Sequence, residues 1–309
     1  MTAAGRWRLG EAPWLEPDPR APGPRFRVLV DNDFAGDPDG LVQLAHHLLS
    51  PSVEIRGVIG SHLPVGGPFP PVPDSAARAC AKVAELFDVM GLDAGDVVHE
   101  GSALPLGDRS TPRESAAVRV ILAEAFRDDP RPLYLACGGG LTDLASAWLV
   151  EPSLASRITL VWIGGPAVPE FNVSIDPVAA EVVLGSDIPL WQVPRDVYRS
   201  CEVPLAELRR RMAPQGRLGG WLHDRLLEAL HDYVWPLSGG RSEAFCLGDS
   251  PLVLLTALQS GFDPDTTAAE HVDRPDGPPG RVYTRLDTRF MVEDLFAKLA
   301  EFADWQASG

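Results

Sequence analysis

Short apolar runs recur along this chain at intervals that a helix fills, and this alternation limits the fold more than any other feature. Phe26–Val30, Val53–Ile59, Leu133–Ala136, Thr159–Ile163 and Leu190–Val193 read as buried strands, and Val97–His99 as a shorter one. Between them, Leu41–Leu49, Ser75–Met90, Ala116–Arg127, Leu141–Leu149 and Pro177–Leu184 read as helices. A strand that is apolar at successive positions has no polar face. It must be covered on both sides, which parallel sheets achieve with crossover helices. The pattern predicts an α/β fold: a doubly wound, mostly parallel open sheet flanked by helices, with a Rossmann-like core. Further on, 204–233 reads as largely helical, Pro251–Leu258 as another helix, Arg281–Leu286 as a late strand and Val292–Phe302 as a closing helix.

A chain of 309 residues can bury a substantial core, and its 45% hydrophobic and 23% charged content is ordinary for a globular protein. A formal charge of −16 argues against nucleic acid and acidic membranes as partners, because both would repel it. No apolar run is long enough to span a bilayer. Residues 1–25 form a proline-rich arm without the apolar core of a signal peptide, so the expectation is a cytoplasmic protein with one domain over 26–309. Cys80, Cys137, Cys201 and Cys246 lack metal-ligand or disulfide spacing and are expected to be reduced core fillers. Gly- and Pro-dense stretches occur at Leu63–Pro73 and Arg274–Gly280.

Four segments carry candidate chemistry. In Val28-Leu-Val-Asp-Asn-Asp-Phe-Ala-Gly-Asp-Pro-Asp39, an apolar strand runs into four aspartates, and Gly36 and Pro38 turn the chain toward a helix. This places the carboxylates at the carboxyl edge of a parallel sheet, where open α/β folds bind ligands. Like charges crowded into one turn repel, and a hard cation such as Ca²⁺ or Mg²⁺ relieves them. A helix cap with a solvated acidic loop is the plainer alternative. Ala136-Cys-Gly-Gly-Gly-Leu-Thr-Asp143 is a glycine-rich strand-to-helix turn that lets backbone approach a ligand, or is simply a tight turn. Ile163-Gly-Gly-Pro-Ala-Val-Pro-Glu-Phe-Asn-Val-Ser-Ile-Asp176 presents Glu170 and Asn172 two residues apart, suited to sugar hydroxyls; Asp176 before Pro177 reads as a helix N-cap. Leu247-Gly-Asp-Ser250 sets Asp249 at the head of an apolar helix, as a cap or as a metal ligand.

Together these segments resemble the inosine–uridine-preferring nucleoside hydrolase family. The likeness rests on Asp31-Asn-Asp-Phe-Ala-Gly-Asp-Pro-Asp39, Gly139-Gly-Leu-Thr-Asp143, Ile163-Gly-Gly with Glu170-Phe-Asn172 and Asp176-Pro-Val-Ala-Ala180, and Gly248-Asp-Ser250, in the family's order. The resemblance implies a Ca²⁺ ion held by Asp33, Asp39, the backbone carbonyl of Thr142, and Asp249. It implies hydrolysis of the N-glycosidic bond of a ribonucleoside or related N-riboside to free base and ribose, with Asp33 as general base toward a water on the ion. Asp37, Glu170 and Asn172 would hold the sugar. A homodimer or homotetramer is expected from the relatives.

The chain departs from the family pattern in several places. The aspartate turn is longer by two residues, and Gly40 aligns with the second Asp of the family's pair; Asp37 and Asp39 then compete for the metal and sugar roles. An asparagine expected after the second strand is replaced near Ser61-His62, and an upstream Asn of the Glu170 loop is missing. The family's leaving-group histidine is Gly248. His231, Arg241 and Phe245 join Tyr233 and Trp235 as candidates near the base, against an ordinary packing role. His62 reads as a surface residue, and His46 and His47 as structural. Two competing functions remain: a ribose-binding pseudoenzyme of the same fold, and a haloacid-dehalogenase-type phosphatase with Asp31 as nucleophile. The second lacks a suitable lysine, since Lys82 and Lys298 both lie in amphipathic helices.

Overall fold

A computed structural model of the chain describes residues 6–64, 74–165, 170–259, 268–277 and 279–308. Most of the Leu63–Pro73 loop and the residues just before Glu170 lie outside that set. The core is an eight-stranded sheet. From edge to edge it runs Ala269–Asp273, Gly280–Leu286, Leu190–Val193, Thr159–Ile163, Leu133–Cys137, Phe26–Asn32, Val53–Gly60 and Val98–Glu100. Every neighbouring pair is parallel except Ala269–Asp273 with Gly280–Leu286. The doubly wound α/β expectation therefore holds, with one antiparallel edge strand that the sequence reading did not contain.

Alternate residues of the Phe26–Asn32 strand explain the two-sided burial. Val28 and Val30 join a core with Leu41, Leu44 and Leu252, whereas Leu29 joins one with Ile121, Leu144 and Leu160. Each face is dry, so the strand reads as a continuous apolar run.

The chain leaves Phe26–Asn32 toward Val53–Gly60 and Val98–Glu100, then returns to build Leu133–Cys137 on its other side. The order reverses there. In open sheets, ligand crevices form beyond the carboxyl ends of the strands that flank such a reversal. Asp33 and Gly138 follow directly from those two strand ends, with Asp31 in register with Cys137.

The described part of the arm is packed onto the body. Trp7 is buried and donates from its indole nitrogen to the Met90 carbonyl at 2.9 Å. Trp7–Arg8 pairs with Leu92–Asp93, and Trp7, Trp14 and Phe302 meet edge to face. The 204–233 region is helical but interrupted: Pro204 ends a short strand paired with Ala244–Cys246, and the helix Gly216–Ala229 continues into a wide turn at Leu230–Val234. No described helix is long and apolar enough to cross a membrane.

Candidate active site

Helix geometry and strand ends bring the distant aspartates together. The helix Asp39–Leu48 starts at the end of the acidic turn, and the helix Pro251–Thr256 starts just after Asp249. Asp33, Asp37, Asp39 and Asp249 line one cavity of about 170 Å³ with Gly138, Ile163, Phe171, Asn172, Tyr198, Arg199, Cys246 and Gly248. The Asp249 amide donates to Asp39 Oδ2 at 3.1 Å. Asn32 Nδ2 donates to Asp249 Oδ2 at 2.8 Å. Neither Asp39 nor Asp249 caps a helix through its side chain; the cap positions are Pro38 and Ser250, and no side-chain cap bond forms at either.

Four carboxylates in this cavity face one cationic side chain, Arg199. Burial, followed by repulsion from Asp249 and Asp37, holds Asp33 well above the usual carboxylate range. Burial and the same two neighbours raise Asp39 well above it too. Burial pushes Asp249 up to about 7 despite the Asn32 hydrogen bond, and Asp37 up to about 6 despite Tyr233 and the nearby Arg199 charge. Asp33 Oδ2 and Asp37 Oδ1 on the cavity wall, and Asn32 Oδ1 behind the wall residue Asp249, are buried without a hydrogen-bond partner. Buried acceptors are normally satisfied, so orphans at a cavity mark the place of a missing donor or cation. Among the described residues, no three His, Cys, Asp or Glu side chains already form a compact metal cluster. Hard cations also accept carbonyl, amide and water oxygens, so the donor set fits one without such a cluster.

Other expected residues sit differently. Glu170 is buried beside the cavity rather than on its wall: it accepts from Val173 N at 2.9 Å as a helix cap and from the Tyr198 hydroxyl at 3.0 Å. Asn172 reaches the wall, but its amide nitrogen is held by the carbonyls of Gly138 at 3.0 Å and Ile163 at 2.7 Å. Thr142 does not reach the cavity. It lies in the first turn of the helix Thr142–Val150, where its carbonyl accepts from Ser146 Oγ at 2.7 Å; the backbone on the cavity wall is Gly138. Tyr233 bears on Asp37 from the side, whereas Trp235 packs away from the cavity against His231 and Arg241. His62 is buried, contrary to the surface reading, and bridges the Leu63 carbonyl and Thr142 Oγ1, each at 3.0 Å. Asp176 caps the helix Pro177–Leu184 as expected. His46 and His47 are buried in the core, as the structural reading holds.

Tyr198 and Cys246 are cavity residues without a motif to announce them. A Cβ at Gly248 would lie 3.2 Å from the Tyr198 ring, so this tyrosine occupies the space that a larger residue at 248 would need. Asp31 faces away from the cavity. It accepts from Ser61 Oγ at 2.8 Å and lies near Asp143, which removes the phosphatase reading that required it as nucleophile.

The family model described as inosine-uridine preferring nucleoside hydrolase matches residues 28–273. The chain belongs to the inosine–uridine-preferring nucleoside hydrolase family. It is thereby placed among N-glycosyl hydrolases of ribonucleosides. A pyrimidine-specific ribonucleoside hydrolase RihA of Salmonella arizonae is 30% identical over 151 residues, 45% of this chain and 48% of that protein. The Salmonella schwarzengrund RihA is 26% identical over 242 residues, 69% of this chain and 75% of that protein. Among solved structures, a purine-preferring ribonucleoside hydrolase from Gardnerella vaginalis superposes with a TM-score of 0.67 at 18% identity. That superposition covers 90% of this chain and 99% of the other, and it supports the α/β fold.

Proposed function

We propose that this chain hydrolyses the N-glycosidic bond of a ribonucleoside or related N-riboside in a Ca²⁺-dependent reaction, with Asp33 as general base. The observation that carries the reading is the set of four carboxylates, balanced by a single arginine, around one cavity at the sheet's reversal point. Asp33, Asp39 and Asp249 would hold the cation, with the Gly138 backbone in the role first given to Thr142. When bound, a hard cation polarises a water and grips vicinal hydroxyls.

The chain's own groups supply the rest. Asp33 has one oxygen without a partner, and that atom accepts the proton of the attacking water. Asp37, steadied by Tyr233, and the amide oxygen of Asn172, whose nitrogen is already held by two carbonyls, take sugar hydroxyls. Glu170 acts through Tyr198, whose hydroxyl it orients. Positive charge developing on the ribosyl ring meets a cavity rich in carboxylate oxygens, which favours the transition state. Phe171 and Tyr198 present aromatic surface for the base. The same reading carries a cytoplasmic homodimer or homotetramer, checked by light scattering and cell fractionation.

Gly248 in place of histidine favours a second reading, a pocket that binds ribosides without turning them over. A panel of purine and pyrimidine ribonucleosides, assayed for released reducing sugar with Ca²⁺ and with chelator, decides between them. Sugar release that chelator abolishes is the expected outcome. Calorimetric riboside binding without release establishes the second reading instead.

A further inference from the structure

Asn32 ends the strand Phe26–Asn32 and is completely buried between two aspartates in sequence. Its Nδ2 donates to Asp249 Oδ2 at 2.8 Å. An amide has its donors on nitrogen and its acceptor on oxygen, and here the nitrogen is the atom spent on Asp249. Its oxygen is then left over, and Oδ1 is buried without a partner. An amide oxygen left without a partner next to a crowded carboxylate is a donor atom available to a cation.

Two glycines make room for this side chain. A Cβ at Gly40 would lie 2.7 Å from Asn32 Nδ2, 2.9 Å from its Cγ and 3.0 Å from Oδ1. A Cβ at Gly138 would collide with the same Nδ2 and stand 2.8 Å from the Asp249 carboxylate. Neither glycine has positive φ, so backbone freedom does not explain them; space does. Gly40 lies within the helix Asp39–Leu48, where glycine is a poor helix former. Position 40 is also where the family pattern has the second aspartate of its pair. The Asn32 amide thus fills the volume in which that side chain would begin. With Asp33, Asp37, Asp39 and Asp249 already crowded together, a neutral oxygen adds a ligand without adding repulsion.

We propose that Asn32 Oδ1 is a neutral oxygen ligand of the cation site, in the place that a carboxylate at position 40 would otherwise hold. This rests on the cavity being a cation site. Asn32 and Gly40 are then alternative solutions to one packing problem, and exchanging them together should preserve binding.

The test is Ca²⁺ titration calorimetry on the full chain stripped with chelator. Asn32→Ala should weaken Ca²⁺ binding about tenfold to hundredfold. Gly40→Asp alone should also weaken it, because the new side chain meets the Asn32 amide. The double variant Asn32→Ala/Gly40→Asp should recover to within about threefold of the parent. With Tb³⁺ in place of Ca²⁺, luminescence lifetimes in H₂O and D₂O should show about one extra bound water in Asn32→Ala, a change that a merely structural role would not produce. The inference is overturned if Asn32→Ala binds like the parent with the same water count, or if the double variant binds no tighter than Gly40→Asp. The second comparison stands even if Asn32→Ala alone fails to fold. A parent that binds no Ca²⁺ removes the cation reading and this inference together; a parent that binds while Asn32→Ala is unaffected removes this inference alone.

Discussion

Two groups of buried aspartates flank the carboxyl end of the Phe26–Asn32 strand, and they are treated in opposite ways. Away from the cavity, Asp143 accepts from Ser115 Oγ at 2.6 Å and Ser102 N at 3.1 Å. Asp176 accepts from Thr142 Oγ1 at 2.7 Å, Leu106 N at 2.8 Å and Ala179 N at 2.9 Å. Asp31 takes the Ser61 hydroxyl. Protein donors fill these lone pairs, so the group pins the Ser102–Leu106 segment and two helix starts to the sheet. In the cavity, Asp33 and Asp37 keep orphaned oxygens, and Asp249 and Asp37 repel Asp33 rather than relieve its charge. Burial alone therefore does not mark function. Burial with unfilled acceptors facing open space does.

The largest effects should come from the unfilled group. Asp33→Asn or Asp249→Ala should abolish turnover and Ca²⁺ retention, read by sugar release and by metal analysis after dialysis. Full activity in both variants would refute the assignment. Gly138→Ala should follow closely, because its methyl would meet Asn32 and the Asp249 carboxylate; Ca²⁺ affinity is expected to drop at least about tenfold, with the fold retained by circular dichroism.

Asp143→Ala probes the filled group. It strands the Ser102 and Ser115 donors and should cost about 1–3 kcal/mol in chemical denaturation, while Ca²⁺ affinity changes by less than about twofold. If its metal affinity collapsed as well, the two groups would not be separable.

The smallest effect is a pH dependence remote from both. Burial, then the neighbouring His46, holds His47 at about 3 against an ordinary value of 6.5. It is wedged between Gln43 and the Thr256 hydroxyl, 2.8 Å from Nε2. Below the ordinary value the unfolded chain binds the proton and the folded chain does not, so its stability contribution is present above 6.5 and lost as pH falls toward 3. Between about pH 7 and pH 5 the thermal midpoint of the parent should lose ground to that of His47→Gln as pH falls, on top of the opposite trend that the raised cavity carboxylates impose on both.

Much of this was legible in the chain. Thr159–Ile163, Leu190–Val193, Ser75–Met90 and Pro177–Leu184 occupy the spans that their apolar pattern predicts, because each is decided by local periodicity. Ala269–Asp273 was invisible for the opposite reason: an edge strand with one partner carries polar residues and no regular alternation. The aspartate turn and Asp249 announced themselves by chemistry at strand and helix ends. Asn32 and Tyr198 did not, since their roles exist only through partners far off in sequence, 217 residues away for Asn32 and 28 for Tyr198. Thr142 shows the converse error. A glycine-rich turn can be recognised from sequence, but which of its carbonyls faces the cavity depends on where the helix begins, and the helix begins at Thr142 itself.

The central claim is that the cavity carboxylates act as one cation site. The most direct measurement is Ca²⁺ titration calorimetry on stripped protein in two buffers of different ionisation heat. About one ion per chain should bind with release of protons from the raised carboxylates, and Asp33→Asn and Asp249→Ala should each lose that binding. Absence of binding by the parent, or binding that Asp249→Ala leaves intact, would contradict it.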